Sequence, residues 1–107
     1  MSADLVLVLT TIAADTDADA LARALVDERL AACVSVHAPM SSTYRWQDAV
    51  TRDAERQVVI KTTAARVAAL EARLGALHPY AVPEFLVIPV ASGGADYLAW
   101  ARAQVED

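Results

Sequence analysis

The chain is expected to fold as an α+β domain in which strands and helices follow the order βαββαβ, with a further helix at the end. Three observations carry this expectation. Apolar, β-branched runs recur at Leu5–Leu9, Ala31–Val36, Val58–Ile60 and Phe85–Val90. After the first run and again after the third, apolar residues fall at the i, i+3, i+4 spacing of an amphipathic helix. The stretch Leu77-His78-Pro79-Tyr80-Ala81-Val82-Pro83-Glu84 then holds two prolines, which fix φ and remove two backbone donors. That excludes a helix interior or a central strand and leaves a stiff, extended connector.

Leu5-Val6-Leu7-Val8-Leu9 is apolar without alternation, the pattern of a strand covered on both faces. Thr16 with Asp19 three residues on forms a candidate capping box. The helix that follows shows Ala18, Leu21, Ala22, Leu25, Val26 and Leu30 on one stripe, with Asp17, Arg23, Asp27 and Glu28 on the other side. Ala31–Val36 is the second strand. Pro39 interrupts it, and Tyr44-Arg45-Trp46 resumes extended character before a turn at Gln47-Asp48-Ala49. Val50–Thr62 returns as the third strand. Thr62 or Thr63 can cap a second helix with Val67, Leu70, Leu74 and Leu77 along one stripe. The connector ends that helix and delivers Phe85–Val90 as the fourth strand, where Pro89 points to a sheet edge or a bulge. Gly93-Gly94 turns the chain into a last helix with Tyr97, Leu98, Trp100, Ala101 and Val105 on its apolar side. This order is the ferredoxin-like split βαβ arrangement, an antiparallel sheet with two helices on one face.

With 107 residues, of which 56% are hydrophobic, the chain suits one globular domain spanning 1–107. The formal net charge of −5, without a basic run, argues against nucleic acid or an anionic membrane as partner. Cys33 is the only cysteine, so no intrachain disulfide can form and a reducing compartment is expected. Met1-Ser2-Ala3-Asp4 has no positive region before its apolar run, and Leu5–Leu9 is too short for a signal core or a membrane span. The expectation is a cytoplasmic protein.

The hairpin is out of proportion to the rest. Residues 31 to 47, fully extended, reach on the order of 50 Å, whereas a compact chain of this size has a radius of gyration of about 13 Å. Its distal part, Tyr44 to Thr51, has no partner within the fold, and a free hairpin is marginal in water. Open edges invite pairing. A homo-oligomer in which each hairpin pairs with a neighbour's edge, near Pro89, resolves the mismatch. Tyr44, Trp46, Pro89 and Trp100 are its candidate interface residues.

At this point a family is recognisable. Arg23-Ala24-Leu25-Val26-Asp27-Glu28-Arg29-Leu30-Ala31-Ala32-Cys33-Val34, Tyr44-Arg45-Trp46, Glu55, Ile60-Lys61-Thr62, His78-Pro79-Tyr80, Val82-Pro83-Glu84 and Tyr97-Leu98-Ala99-Trp100 together resemble the CutA family of divalent-cation tolerance proteins. The resemblance runs over nearly the whole chain. It implies a ferredoxin-like protomer in a tight trimer, similar in plan to the P-II signalling proteins, and a link to copper and other divalent metals. Two positions depart from the family pattern: Asp48 stands where glycine is common, and Arg56 where an apolar residue is usual. The first bears on the hairpin turn. The second delays the expected onset of burial along the third strand.

Candidate site residues follow from chemistry. Cys33 is the softest metal donor, suited to copper(I) when ionised, although its apolar run also suits simple packing. Cys33 and His37 share a strand face but lie roughly 13 Å apart, too far for one ion. No CxxC, HxH or HExxH spacing occurs, so a closed metal site within one chain is not expected. His78, just past a helix end, is favoured in its protonated form by the helix dipole, and equally suits a helix cap. Glu84 stands near it on the restrained connector. Trp46, Glu55, Lys61 and Tyr80 complete one cleft if the third strand and the connector meet; Lys61 and Glu84 also suit a structural ion pair. No nucleophile–base constellation, P-loop or dinucleotide motif is present, so no enzyme is expected. Three functions are consistent with this: metal tolerance through weak ion binding or an unidentified regulatory protein partner, a P-II-like small-molecule module with clefts between protomers, and a passive scaffold.

Overall fold

The computed structural model describes residues 4–106. The reading of the chain start at Met1 to Ala3 lies outside them, as does Asp107. The elements are β1 (Leu5–Ala13), α1 (Ala18–Asp27), β2 (Cys33–Val36), β3 (Met40–Trp46), β4 (Ala49–Thr63), α2 (Val67–Leu77), β5 (Leu86–Pro89) and α3 (Ala95–Val105). All pairings in the sheet are antiparallel, in the order β2-β4-β1-β5, with β3 continuing beside β4 beyond the end of β2. The expected four strands are therefore five segments, because the second is broken at Pro39.

One sheet face carries α1 and α2. Val6, Val8 and Ile12 of β1 and Val58 and Ile60 of β4 meet Leu25 of α1 and Leu70 and Leu74 of α2 in one core. The alternate residues point the other way, where α3 covers only one end, packing Ala101 and Val105 on Leu5 and Ala32. Two hydroxyls, Thr10 Oγ1 and Thr62 Oγ1, are sealed in without a hydrogen-bond partner.

Local chemistry differs from expectation at several ends. Asp17, not Thr16, caps α1, its carboxylate accepting from the amide of Ala20 at 3.0 Å. Residue 17 is one short of the helix, where a side-chain oxygen reaches the third orphan N–H. Val26, placed on the apolar stripe, is 41% exposed, because the helix has turned it past the sheet. Arg29 takes φ 58° to close α1, with Leu30 N–H donating to Leu25 C=O and Arg29 N–H to Val26 C=O, a Schellman ending. Neither threonine caps α2 through its side chain; a 3-10 turn at Ala64–Arg66 leads into it instead. Leu77 is exposed at the far end of that helix. Pro89 lies on the edge strand, as expected.

The hairpin stands out as an arm. The described residues extend 45 × 26 × 24 Å, and β4 alone has 15 residues. Its tip is a two-residue turn in which Gln47 and Asp48 take φ 51° and 65°, the left-handed pair of a type I′ hairpin. Asp48 thus adopts, as a non-glycine, the backbone that glycine adopts most cheaply.

Candidate functional site

The site begins with a change of register. Cys33 faces Lys61 and Val36 faces Val58, whereas Met40 faces Glu55 and Trp46 faces Ala49. Between Val36 and Met40 the β2–β3 edge carries one residue more than β4 opposite it. A bulge of one residue flips every later side chain to the other face. Val34 and Val36 therefore pack towards the helices, while Met40, Ser42, Tyr44 and Trp46 project from the opposite face beside Thr51, Asp53 and Glu55 of β4.

The connector supplies the other wall. β5 pairs with β1 only as far as Leu9, so the edge of β1 beyond it is open to Pro79–Glu84. His78 fixes that segment. Its amide donates to Leu74 C=O at 2.7 Å, its Nδ1 accepts from the Tyr80 amide at 3.1 Å, and its Nε2 lies 2.6 Å from Thr11 C=O. With Nδ1 accepting, Nε2 is the nitrogen that donates to Thr11 C=O. The ring is buried and bonded at both nitrogens, and it fills the helix-cap reading of this position: it caps α2 and aims the connector. The Tyr80 ring lies 4.6 Å, centroid to centroid, from that of His78.

Between arm and connector lies a cleft of about 700 Å³. It gathers Met40, Tyr44 and Trp46, the carboxylates Asp53, Glu55 and Glu84, and Gln57, Tyr80 and Pro83. Glu55 is buried although charged, and accepts from the Tyr80 hydroxyl at 2.7 Å. Tyr44 donates in the same way to Asp53. Gln57 Nε2 donates to Glu84 at 3.1 Å and to Thr10 C=O at 2.7 Å, tying the connector to the sheet. Burial, and then the hydrogen bond to Glu55, pushes the Tyr80 phenol well above its ordinary value. The bond to Asp53 does the same for Tyr44. Both phenols stay protonated donors throughout the physiological range.

Of the expected cleft residues, Trp46, Glu55, Tyr80 and Glu84 come together. Lys61 does not: it lies six residues beyond Glu55 along β4, about 20 Å, and its Nζ sits 5.6 Å from the ring centre of Tyr97. Glu84 bonds Gln57, not Lys61, so the expected ion pair is absent among the described residues. Cys33 is half-buried on β2, its Sγ 3.9 Å from Ser35 Oγ. Among the described residues no three His, Cys, Asp or Glu side chains are grouped to hold a metal ion. A site drawing on Cys33, His78 and Glu84 together would need more than one protomer. Asp53, Gln57 and Met40 were missed in the sequence; the signal for Asp53 and Gln57 is the two-residue alternation from Glu55 along β4, whereas the face of Met40 depends on the bulge.

Tyr44, Trp46 and Trp100 are 40%, 45% and 46% exposed, and Pro89 is exposed with all of β5. These large side chains thus lie outside the core of the chain.

The model of one family, described as CutA1 divalent ion tolerance protein, matches residues 6–104. The chain belongs to the CutA1 family. The divalent-cation tolerance protein CutA of Thermus thermophilus is 45% identical over 95 residues, 89% of this chain and 92% of that protein. The solved Thermus thermophilus Cut A1 structure superposes with a TM-score of 0.91 at 42% identity, covering 95% of this chain and 99% of that one. CutA from Synechococcus elongatus gives 0.91 at 43% identity, covering 98% and 93%. The CutA1 fold is thus the ferredoxin-like, P-II-like α+β plan. No helix among the described residues is long and apolar enough to cross a membrane.

Proposed function

We propose that the chain works as a homotrimer in the handling of divalent cations, with its working site in the cleft between arm and connector. The observation that carries this is the arm itself. β3 and the distal half of β4 pair only with each other, yet expose Tyr44, Trp46 and Val50, while the free edge strand β5 exposes Leu86, Val87 and Ile88. Apolar, main-chain-bonding surfaces at both ends of one chain suit arm-to-edge pairing between copies. Closure into a ring of three follows the family plan. Trp100 and Pro89 join Tyr44 and Trp46 at that interface.

Copper or another divalent ion exchanges weakly at the cleft carboxylates, of which Asp53 is exposed and Glu84 half-buried. His78 holds the connector and does not ligate. The chain is a binding and assembly protein and not a catalyst. An unpaired Cys33 fits the cytoplasm. Light scattering on dilute protein tests the assembly: the expected mass is about three times 11.4 kDa, and a species of one chain mass overturns it. Calorimetry with copper and zinc tests the ion: the heat is expected to persist in His78→Ala and to fall in Glu84→Gln.

A second reading has its own support. About 700 Å³ is far more than a bare ion occupies and lies within the range of small-molecule pockets. The cleft is then also a P-II-like ligand site, through which a regulatory protein partner is informed.

A further inference from the structure

We infer that the cleft takes a linear aliphatic diamine, a ligand bearing two ammonium groups on a hydrocarbon chain. This rests on the small-molecule reading of the cleft and names its ligand class. The lining contains three carboxylates and no lysine, arginine or histidine. An anion would find no cation there. The two phenols that could donate to it, Tyr44 and Tyr80, already donate to Asp53 and Glu55. A neutral ligand would leave the carboxylates uncompensated on losing water. A divalent ion would find no grouped set of three donors there among the described residues and would be held only weakly.

The acidic groups are not merely numerous. Glu55 is 94% buried by its 6% exposure, yet only its Oε2 receives a donor among the described residues. Glu55 lines the cleft, which leaves Oε1 for a donor bound there. A buried carboxylate with one oxygen open to a cavity is a socket for a cationic donor. The second charge lies at a fixed spacing. Asp53, Glu55 and Gln57 alternate along one face of β4, about 7 Å apart at two residues per step, and Gln57 holds Glu84 at 3.1 Å. Negative charge thus recurs along a line on either side of Glu55. Beside that line lies the thioether of Met40, opposite Glu55, and beyond Asp53 towards the arm's tip stand the rings of Tyr44 and Trp46. Those surfaces suit methylene groups, and the rings add attraction for an ammonium.

The test uses the wild-type oligomer in about 150 mM salt, where non-specific surface attraction is screened. Calorimetry and thermal shift compare 1,4-diaminobutane, 1,5-diaminopentane, butylamine and succinate. The diamines are expected to bind roughly tenfold more tightly than butylamine, as one added charge-assisted contact implies. Succinate is expected to give no shift. Glu55→Gln and Glu84→Gln are each expected to weaken the diamine about tenfold, and Asp27→Asn, on the outer side of α1, to leave it unchanged. The diamine-to-monoamine ratio is read on wild type, so it stands even if Glu55→Gln fails to fold. Equal affinity of diamine and butylamine, or equal weakening by Asp27→Asn, overturns the inference. Stabilisation by succinate or a nucleotide but by no amine overturns it while sparing the small-molecule reading; no shift with any compound overturns both.

Discussion

The two halves of β4 share one regular strand and have opposite fates. From Val58 to Thr63 each residue is buried or half-buried and pairs with β1, and from Val58 to Lys61 with β2 on the other side as well. From Ala49 to Ala54 only Thr51 is even half-covered, and β3 is the one strand paired with it, with Ala14 N–H reaching the Ala54 carbonyl at its inner end. The inner half thus has a second ladder, and it also has a second layer: α1 and α2 sit over it, whereas no helix among the described residues sits over the arm. The body is finished by its own sequence; in the proposed trimer the arm is finished by another copy.

The largest test of that contrast is in the body. Leu25→Ala empties a site that is fully buried under β1 and β4. It is expected to cost about 2–5 kcal/mol by urea unfolding; a loss under about 1 kcal/mol would mean that the body is not the independently packed half. Next comes the arm. Trp46→Ala is expected to weaken self-association by about 2 kcal/mol or more, the cost of losing an aromatic anchor. Sedimentation against concentration reads it, and an unchanged profile would break the comparison. Third, Asp17→Ala removes the α1 cap and should destabilise the body by about 1 kcal/mol in the same urea series, without changing oligomer mass. The smallest effect belongs to the arm's tip. Asp48→Gly relieves a left-handed non-glycine and should stabilise the turn by about 0.5 kcal/mol, seen as slower amide exchange across β3 while α1 and α2 are unaffected.

Much of this was legible in the residues. Element order followed from period, the edge position of β5 from Pro89, and the oversized hairpin from length alone. The i, i+2 pairing that puts Glu55 into the cleft was legible as far as the residue's identity. The missing part was non-local or depended on a single residue. Nothing in the run from Val36 to Met40 states how many residues oppose β4, so the face of Met40, Tyr44 and Trp46 stayed hidden. Lys61 looked like a cleft residue because its strand was right; distance along that strand, and Tyr97 of α3, decided otherwise. For His78 the sequence left two readings open, a dipole-favoured cation and a helix cap, and the structure shows the cap. A dipole argument considers one helix, while the ring answers to Thr11 and Tyr80, which come from elsewhere in the chain.

The extra residue between Val36 and Met40 also sets a grammar for insertions and deletions. Removing one residue there would take out the bulge and leave Met40 opposite Glu55 and Trp46 opposite Ala49, with the faces of the arm unchanged. Removing two would pull the arm one step out of register and turn Tyr44 and Trp46 towards the helix side, unless β4 bulged in its turn. The hinge thus holds a slack of one residue: the arm keeps its address through the loss of that residue and no more.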